Sequence, residues 1–191
     1  MRPLIAAFKT SIDGQITGPD GYADWVDGWS DDYGLTDRVD ACLLGGRMYP
    51  GYEQYWTAVQ AADGGPLPMT ETIPTPGEVA WGAFAAQTPH YVLSSTLESV
   101  AWPQTRLLRS VDEVAALKAQ DGKGVYLMGG AELAASLIDA GLVDELHLIT
   151  YPLLAGPGTS LFAGLAQRRP LDLLDARPLD GGLVAVSYAV H

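Results

Sequence analysis

Cysteine occurs once in the 191 residues, at Cys42, so no internal disulfide can form and no thiolate cage for a metal can be built. Its neighbours Val39, Ala41, Leu43 and Leu44 mark the thiol as a small buried hydrophobe rather than a nucleophile. Basic residues are scarce too: 11 Lys and Arg stand against 23 Asp and Glu, a net charge of −12. A surface of that sign repels nucleic acid and anionic lipid, so neither is expected as a partner. Any phosphate-bearing ligand must then be held by backbone amides and one or two local cations. There is no apolar run of bilayer length and none of signal length after Arg2, which gives the expectation of a cytoplasmic protein. Of the three histidines, His90, His147 and His191, no two have metal-ligand spacing, and no metal is expected. The serines lack a nucleophile elbow, which argues against acyl transfer.

What remains is a globular composition, 48% hydrophobic and 18% charged, with length for one domain over 1–191. Pro3–Lys9 reads as a strand buried on both faces. Ser11–Ser30 is too polar for a strand and too rich in glycine for a helix, and so long an irregular stretch points to function. A short helix is expected near Asp31–Val39, a strand at Ala41–Leu44, a helix over Arg47–Ala58 with Pro50 in its first turn, and a proline-rich surface loop at Ala61–Pro76. A helix at Gly77–Ala86 and a strand at His90–Ser94 follow. Ser110-Val111-Asp112-Glu113 has the pattern of a capping box, opening a helix to about Gln120. A strand at Val125–Met128, a helix at Ala131–Ala140 stopped by Gly141, and a strand at Glu145–Leu154 come next. Leu171–Pro178 and Leu183–Val190 flank Asp180-Gly181-Gly182, a hairpin signal. Strands alternating with helices and closed by an antiparallel pair predict an α/β fold: three αβα layers around a mixed, mostly parallel sheet.

The most informative segment is Gly124–Leu133, where a short apolar run ends in Gly129-Gly130 and a helical pattern starts at once. Without a Cβ, glycine lets an anion approach the main chain, and the unpaired N–H groups of the new helix face that charge. The same turn also serves purely steric ends in many α/β proteins, so alone it is weak.

Other segments resemble a known family in order. Ser11-Ile12-Asp13-Gly14 resembles the S-L-D-G signature of the dihydrofolate reductase superfamily, and more closely of the riboflavin-biosynthesis reductase C-terminal domain and its stand-alone bacterial relatives. Leu44–Tyr49 is similar to L-G-R-R-T-Y, Tyr91–Leu97 to Y-V-L-S-R-T-L, Gly129–Leu133 to G-G-x-E-L, Gly141–Leu146 to G-L-V-D-E-L, and Pro152–Phe162 to P-V-L-L-G-x-G-x-x-L-F. The resemblance implies NADPH bound along the carboxyl ends of the central strands, its hydride passing to a flat heterocycle. It implies that Gly129 and Gly130, joined by a cis peptide, and the amides of Ala131, Glu132 and Leu133 hold the pyrophosphate. It sets Ala7 and Ile16 against the nicotinamide, Gly45, Arg47 and Met48 at a second helix start beside the phosphates, and Leu93, Ser94 and Ser95 along the adenine and its ribose. Relatives of this kind are commonly dimers, so a homodimer is expected.

Three positions depart from the family. Gly46 and Ser95 stand where arginine is common, and Met48 where a threonine contacts phosphate, so NADH is possible beside NADPH. In dihydrofolate reductases the substrate-gripping carboxylate sits on a helix in this part of the chain, so the resemblance implies Asp32, in the acidic run at 25–33, as the candidate catalytic carboxylate, with Asp31 and Asp27 as rivals; adjacent aspartates also serve as helix-dipole partners. Trp25, Trp29, Tyr55 and Trp56 are suited either to stacking on a planar substrate or to a core. Asp13 reads as structural, bonding amides of its own Asp-Gly turn. Two functions are thus expected: a reductase of a pterin-like or pyrimidine-like heterocycle, or a binding module that keeps the fold without the chemistry.

Overall fold

The computed structural model describes residues 1–26 and 33–191. In chain order the strands are β1 (Leu4–Ser11), β2 (Gln15–Thr17), β3 (Val39–Gly45), β4 (His90–Leu93), β5 (Thr105–Leu108), β6 (Gly124–Gly129), β7 (Glu145–Tyr151), β8 (Thr159–Ser160), β9 (Leu171–Pro178) and β10 (Val184–Val190). The helices are α1 (Tyr49–Ala61), α2 (Pro76–Gln87), α3 (Val111–Lys118) and α4 (Ala131–Asp139). The large sheet runs β5-β4-β3-β6-β1-β7-β10-β9. Its first six strands are parallel, and β10 then runs antiparallel between β7 and β9.

Strand β1 sits at the centre because its residues are apolar on both sides, as a strand covered on both faces requires. Leu4, Ala6 and Phe8 enter one core with Val114 and Leu117 of α3 and Leu133, Leu137 and Ile138 of α4. Ile5 and Ala7 enter the other with Tyr52, Trp56 and Val59 of α1 and Trp81 and Ala85 of α2. The three-layer αβα arrangement is the fold expected from the alternation of elements. Cys42 is fully buried in the second core, and burial pushes its thiol pKa up, away from nucleophilic use.

Several local expectations need correction. In place of a helix over Asp31–Val39, the described part holds only a 3-10 turn at Thr36–Arg38; Asp31 and Asp32 lie outside the described residues. The strand after Glu145 stops at Tyr151 rather than Leu154, where Pro152 ends the ladder. Ser110 caps α3 by accepting from the Glu113 amide, but the Glu113 carboxylate bonds the Arg109 amide instead of closing the box on Ser110. The reciprocal capping box stands at Thr75 and Glu78, inside the proline-rich stretch, and opens α2. Gly141, with φ +68°, ends α4 as expected; the Leu142 amide bonds back to the Leu137 carbonyl at 2.9 Å.

Candidate functional site

Three parallel strands end level with one another: Gly45 of β3 pairs with Leu93 of β4, and Leu44 with Gly129 of β6. Beyond these carboxyl ends lies a cavity of about 610 Å³, within the usual range for small-molecule sites. Two helix starts open onto it, α1 after Met48 and α4 after Gly130, and neither carries a side-chain cap. The starts of α2 and α3, by contrast, are capped by Thr75 and Ser110. The first amides of α4 are therefore donors without a side-chain acceptor, and an anion in the cavity would satisfy them.

The glycine pair is shaped for that approach. The Gly129–Gly130 peptide is cis. Gly129 has φ +146°, a backbone open only to glycine, and a Cβ there would press on Met48 Sδ at 3.0 Å. A Cβ on Gly130 would meet nothing within 4 Å, so its face is open to a ligand. These residues fit a diphosphate.

Ten of the thirteen cofactor positions expected from sequence line this cavity: Gly45, Arg47, Met48, Leu93, Ser94, Ser95, Gly130, Ala131, Glu132 and Leu133. Gly129 lies just beneath as the last residue of β6. Ala7 is buried on β1, and Ile16, in β2, packs against the first core; neither lines the cavity. Asp27, Asp31, Asp32 and Trp29 lie outside the described residues. Trp56 and Tyr55 serve the α1–α2 packing: Trp56 is buried in the core, and Tyr55 donates to Glu78 Oε1 at 2.6 Å.

The cavity also has residues that sequence reasoning passed over. Arg109 reaches it from the end of β5, its Nη1 donating to the Ser94 and Leu97 carbonyls at 2.8 and 2.7 Å. Ser110, Ser136 and Thr159 complete a hydroxyl-rich wall. Ser110 is legible only as a helix cap, with Arg109 directly before it; Ser136 and Thr159 gave no signal. On the face of β1 that carries Ile5 and Ala7, the half-buried Lys9 stands at the strand end opposite Ile149, with Tyr151 two residues further along β7.

Asp13 does more than brace its own turn. Its carboxylate accepts from Ser11 Oγ at 2.6 Å and from the amides of Ala155 and Gly156 at 3.0 and 2.9 Å. These bonds hold its pKa down at about 2, the serine contributing most. The Ile12 amide bonds the Leu153 carbonyl, and β2 pairs with β8 through Thr17 and Thr159. Gly158 crosses so close that any Cβ would overlap the Thr17 carbonyl. The two loops thus form one flap beside the cavity.

This sheet, its helical layers and the site at its carboxyl edge define a fold of the dihydrofolate reductase type. The chain belongs to the RibD C-terminal domain family, whose description matches residues 2–185. It is 30% identical over 191 residues to the uncharacterized protein YyaP of Bacillus subtilis (strain 168), covering 98% of this chain and 94% of that one. It superposes with TM-score 0.71 on a protein named for riboflavin biosynthesis from Shewanella sp. PV-4, at 20% identity and 99% of both chains. A dihydrofolate reductase of Enterococcus faecalis, solved in complex with NADP(H), superposes with TM-score 0.64 at 16% identity over 99% of this chain and 96% of that one. The fold and family are those of reductases. Among the described residues no group of three or more His, Cys, Asp or Glu is placed to hold a metal, and no helix is long and apolar enough to cross a membrane.

Proposed function

We propose that this chain is an NADPH-dependent reductase that passes a hydride to a small planar heterocycle, pterin-like or pyrimidine-like. The observation that carries the reading is the single cavity onto which the uncapped start of α4 and the bare face of Gly130 both open. The nucleotide supplies the hydride. The chain binds, orients and protonates.

The amides of Ala131, Glu132 and Leu133 hold the diphosphate, with Arg47 across from them. Ser94 and Ser95 flank the adenosine. Arg109 replaces the cations missing at 46 and 95: two carbonyls fix its Nη1 at the wall of the cavity, and the guanidinium has further N–H groups to offer a phosphate. That supports NADPH over NADH, since a charge-assisted contact to a 2′-phosphate is worth about 1.5–3 kcal/mol. The nicotinamide extends beyond the cavity to the main chain of Ala7 and Ile16, beside the flap pinned by Asp13. The proton comes from Asp32, with Asp31 and Asp27 as rivals in the same acidic run.

Titration of the purified protein with NADPH and NADH, followed by tryptophan emission, tests this reading. Micromolar binding with NADPH preferred is expected, followed by NADPH oxidation on addition of a member of a pteridine and aminopyrimidine panel. Absence of binding by either nucleotide at micromolar concentration overturns it.

A further inference from the structure

A carboxylate stands where a diphosphate cradle should least tolerate one. Glu132 occupies the first turn of α4, between Ala131 and Leu133, and all three line the cavity. Its Oε1 accepts from Arg47 Nη1 at 2.9 Å, joining the start of α4 to the turn before α1. The two side chains are 79% and 88% exposed, so the pair is weak and readily exchanged. Arg109, the other arginine lining the cavity, is fixed by two carbonyls, which leaves Arg47 as the cation that can change partner.

Without an anion, the Glu132 carboxylate complements the positive end of α4 and neutralises Arg47. With a diphosphate present, the same carboxylate is a like-charge neighbour of the ligand and a rival for its arginine. Both effects favour departure. We propose that Glu132 is a positioning residue that sets the rate of nucleotide release: it yields Arg47 to the diphosphate on binding and recaptures it as the diphosphate leaves. The inference rests on the dinucleotide reading of the cavity.

The test measures dissociation of NADPH by stopped-flow fluorescence, with excess NADP⁺ as the chase, and equilibrium binding of inorganic pyrophosphate by calorimetry. Glu132→Gln is expected to slow NADPH release about two- to fivefold, the range of a weak exposed ion pair. The difference should shrink as salt is raised, because both charges are screened. Glu132→Asp keeps the charge and should release nucleotide nearer to the original rate than Glu132→Gln. Arg47→Gln should speed release, and adding Glu132→Gln to it should slow release less than Glu132→Gln does alone, since the rivalry is gone and only the like-charge repulsion remains. Unchanged or faster release in Glu132→Gln, with the parent protein binding normally, overturns the role of Glu132 alone. If the parent protein binds neither NADPH, NADH nor pyrophosphate, the dinucleotide reading itself has failed and this inference falls with it.

Discussion

Ser94 lies directly against Gly46: a Cβ on that glycine would overlap the serine side chain. The hydroxyl is kept there by the amides of Leu97 at 3.0 Å and Thr96 at 3.3 Å, so it cannot swing aside without losing both. An arginine at 46 therefore has no room. Gly46→Arg is expected to cost about 1–3 kcal/mol of stability through overpacking and to weaken NADPH binding rather than strengthen it. Chemical denaturation and nucleotide titration read the two effects, and Ser94→Gly in the same chain should relieve both.

The cation at the adenosine end should decide between the two nucleotides. Arg109→Gln is expected to lower NADPH affinity about tenfold or more while leaving NADH affinity unchanged. The ratio of the two dissociation constants is the readout; an equal loss for both would show that Arg109 only supports the wall of the cavity.

Acid should loosen the second core through His90. This ring is fully buried, its Nδ1 donating to the Thr88 carbonyl at 2.7 Å and its Nε2 accepting from the Tyr52 hydroxyl at 3.0 Å. Burial lowers its pKa to about 4. Because the folded value lies below the ordinary 6.5, the unfolded chain takes up a proton first as pH falls. Stability is thus intact above the unfolded value and lost between about 6.5 and 4, by up to about 3 kcal/mol. Urea midpoints at neutral and mildly acid pH should fall accordingly in the parent protein, and His90→Gln should flatten that slope even if its stability at neutral pH is lower.

Asp13 should control the flap without touching the cavity. Its lowered pKa means that the bonds to Ala155 and Gly156 persist above the ordinary carboxylate value and fail only as pH drops toward about 2. At neutral pH, Asp13→Ala is expected to raise hydrogen exchange at the Ala155 and Gly156 amides and across Gln15–Thr17, with the core strands unchanged. Gly158→Ala should give the same local loss by forcing β8 away from Thr17.

The central strands were legible because they are covered on both faces and so appear as unbroken apolar runs, from Leu4–Phe8 to Val125–Leu127. Gly129, Gly141 and the Gly181-Gly182 turn were legible because their positive φ values need glycine. Other elements had no such mark. Strand β5 escaped notice since Thr105-Arg106-Leu107-Leu108 is short, lies at the sheet edge and carries an exposed arginine. The cap at Thr75 was hidden by the prolines around it. Pairing of β2 with β8 depends on a meeting of distant loops that no local pattern encodes. The site divides the same way: its backbone cradle announces itself in a glycine pair, whereas Arg109, Ser136 and Thr159 reach the cavity only through the tertiary fold.

The position of β1 has a consequence for biosynthesis. Ile5 has its neighbours at Tyr126 on one side and Glu145 on the other. A ribosome therefore delivers the keystone of the sheet long before either strand that must grip it, and an emerging chain carries an apolar ribbon with both edges bare. Assembly waits until β7 has cleared the exit tunnel, so a nascent chain stalled before Glu145 should depend on chaperones far more than the finished one does.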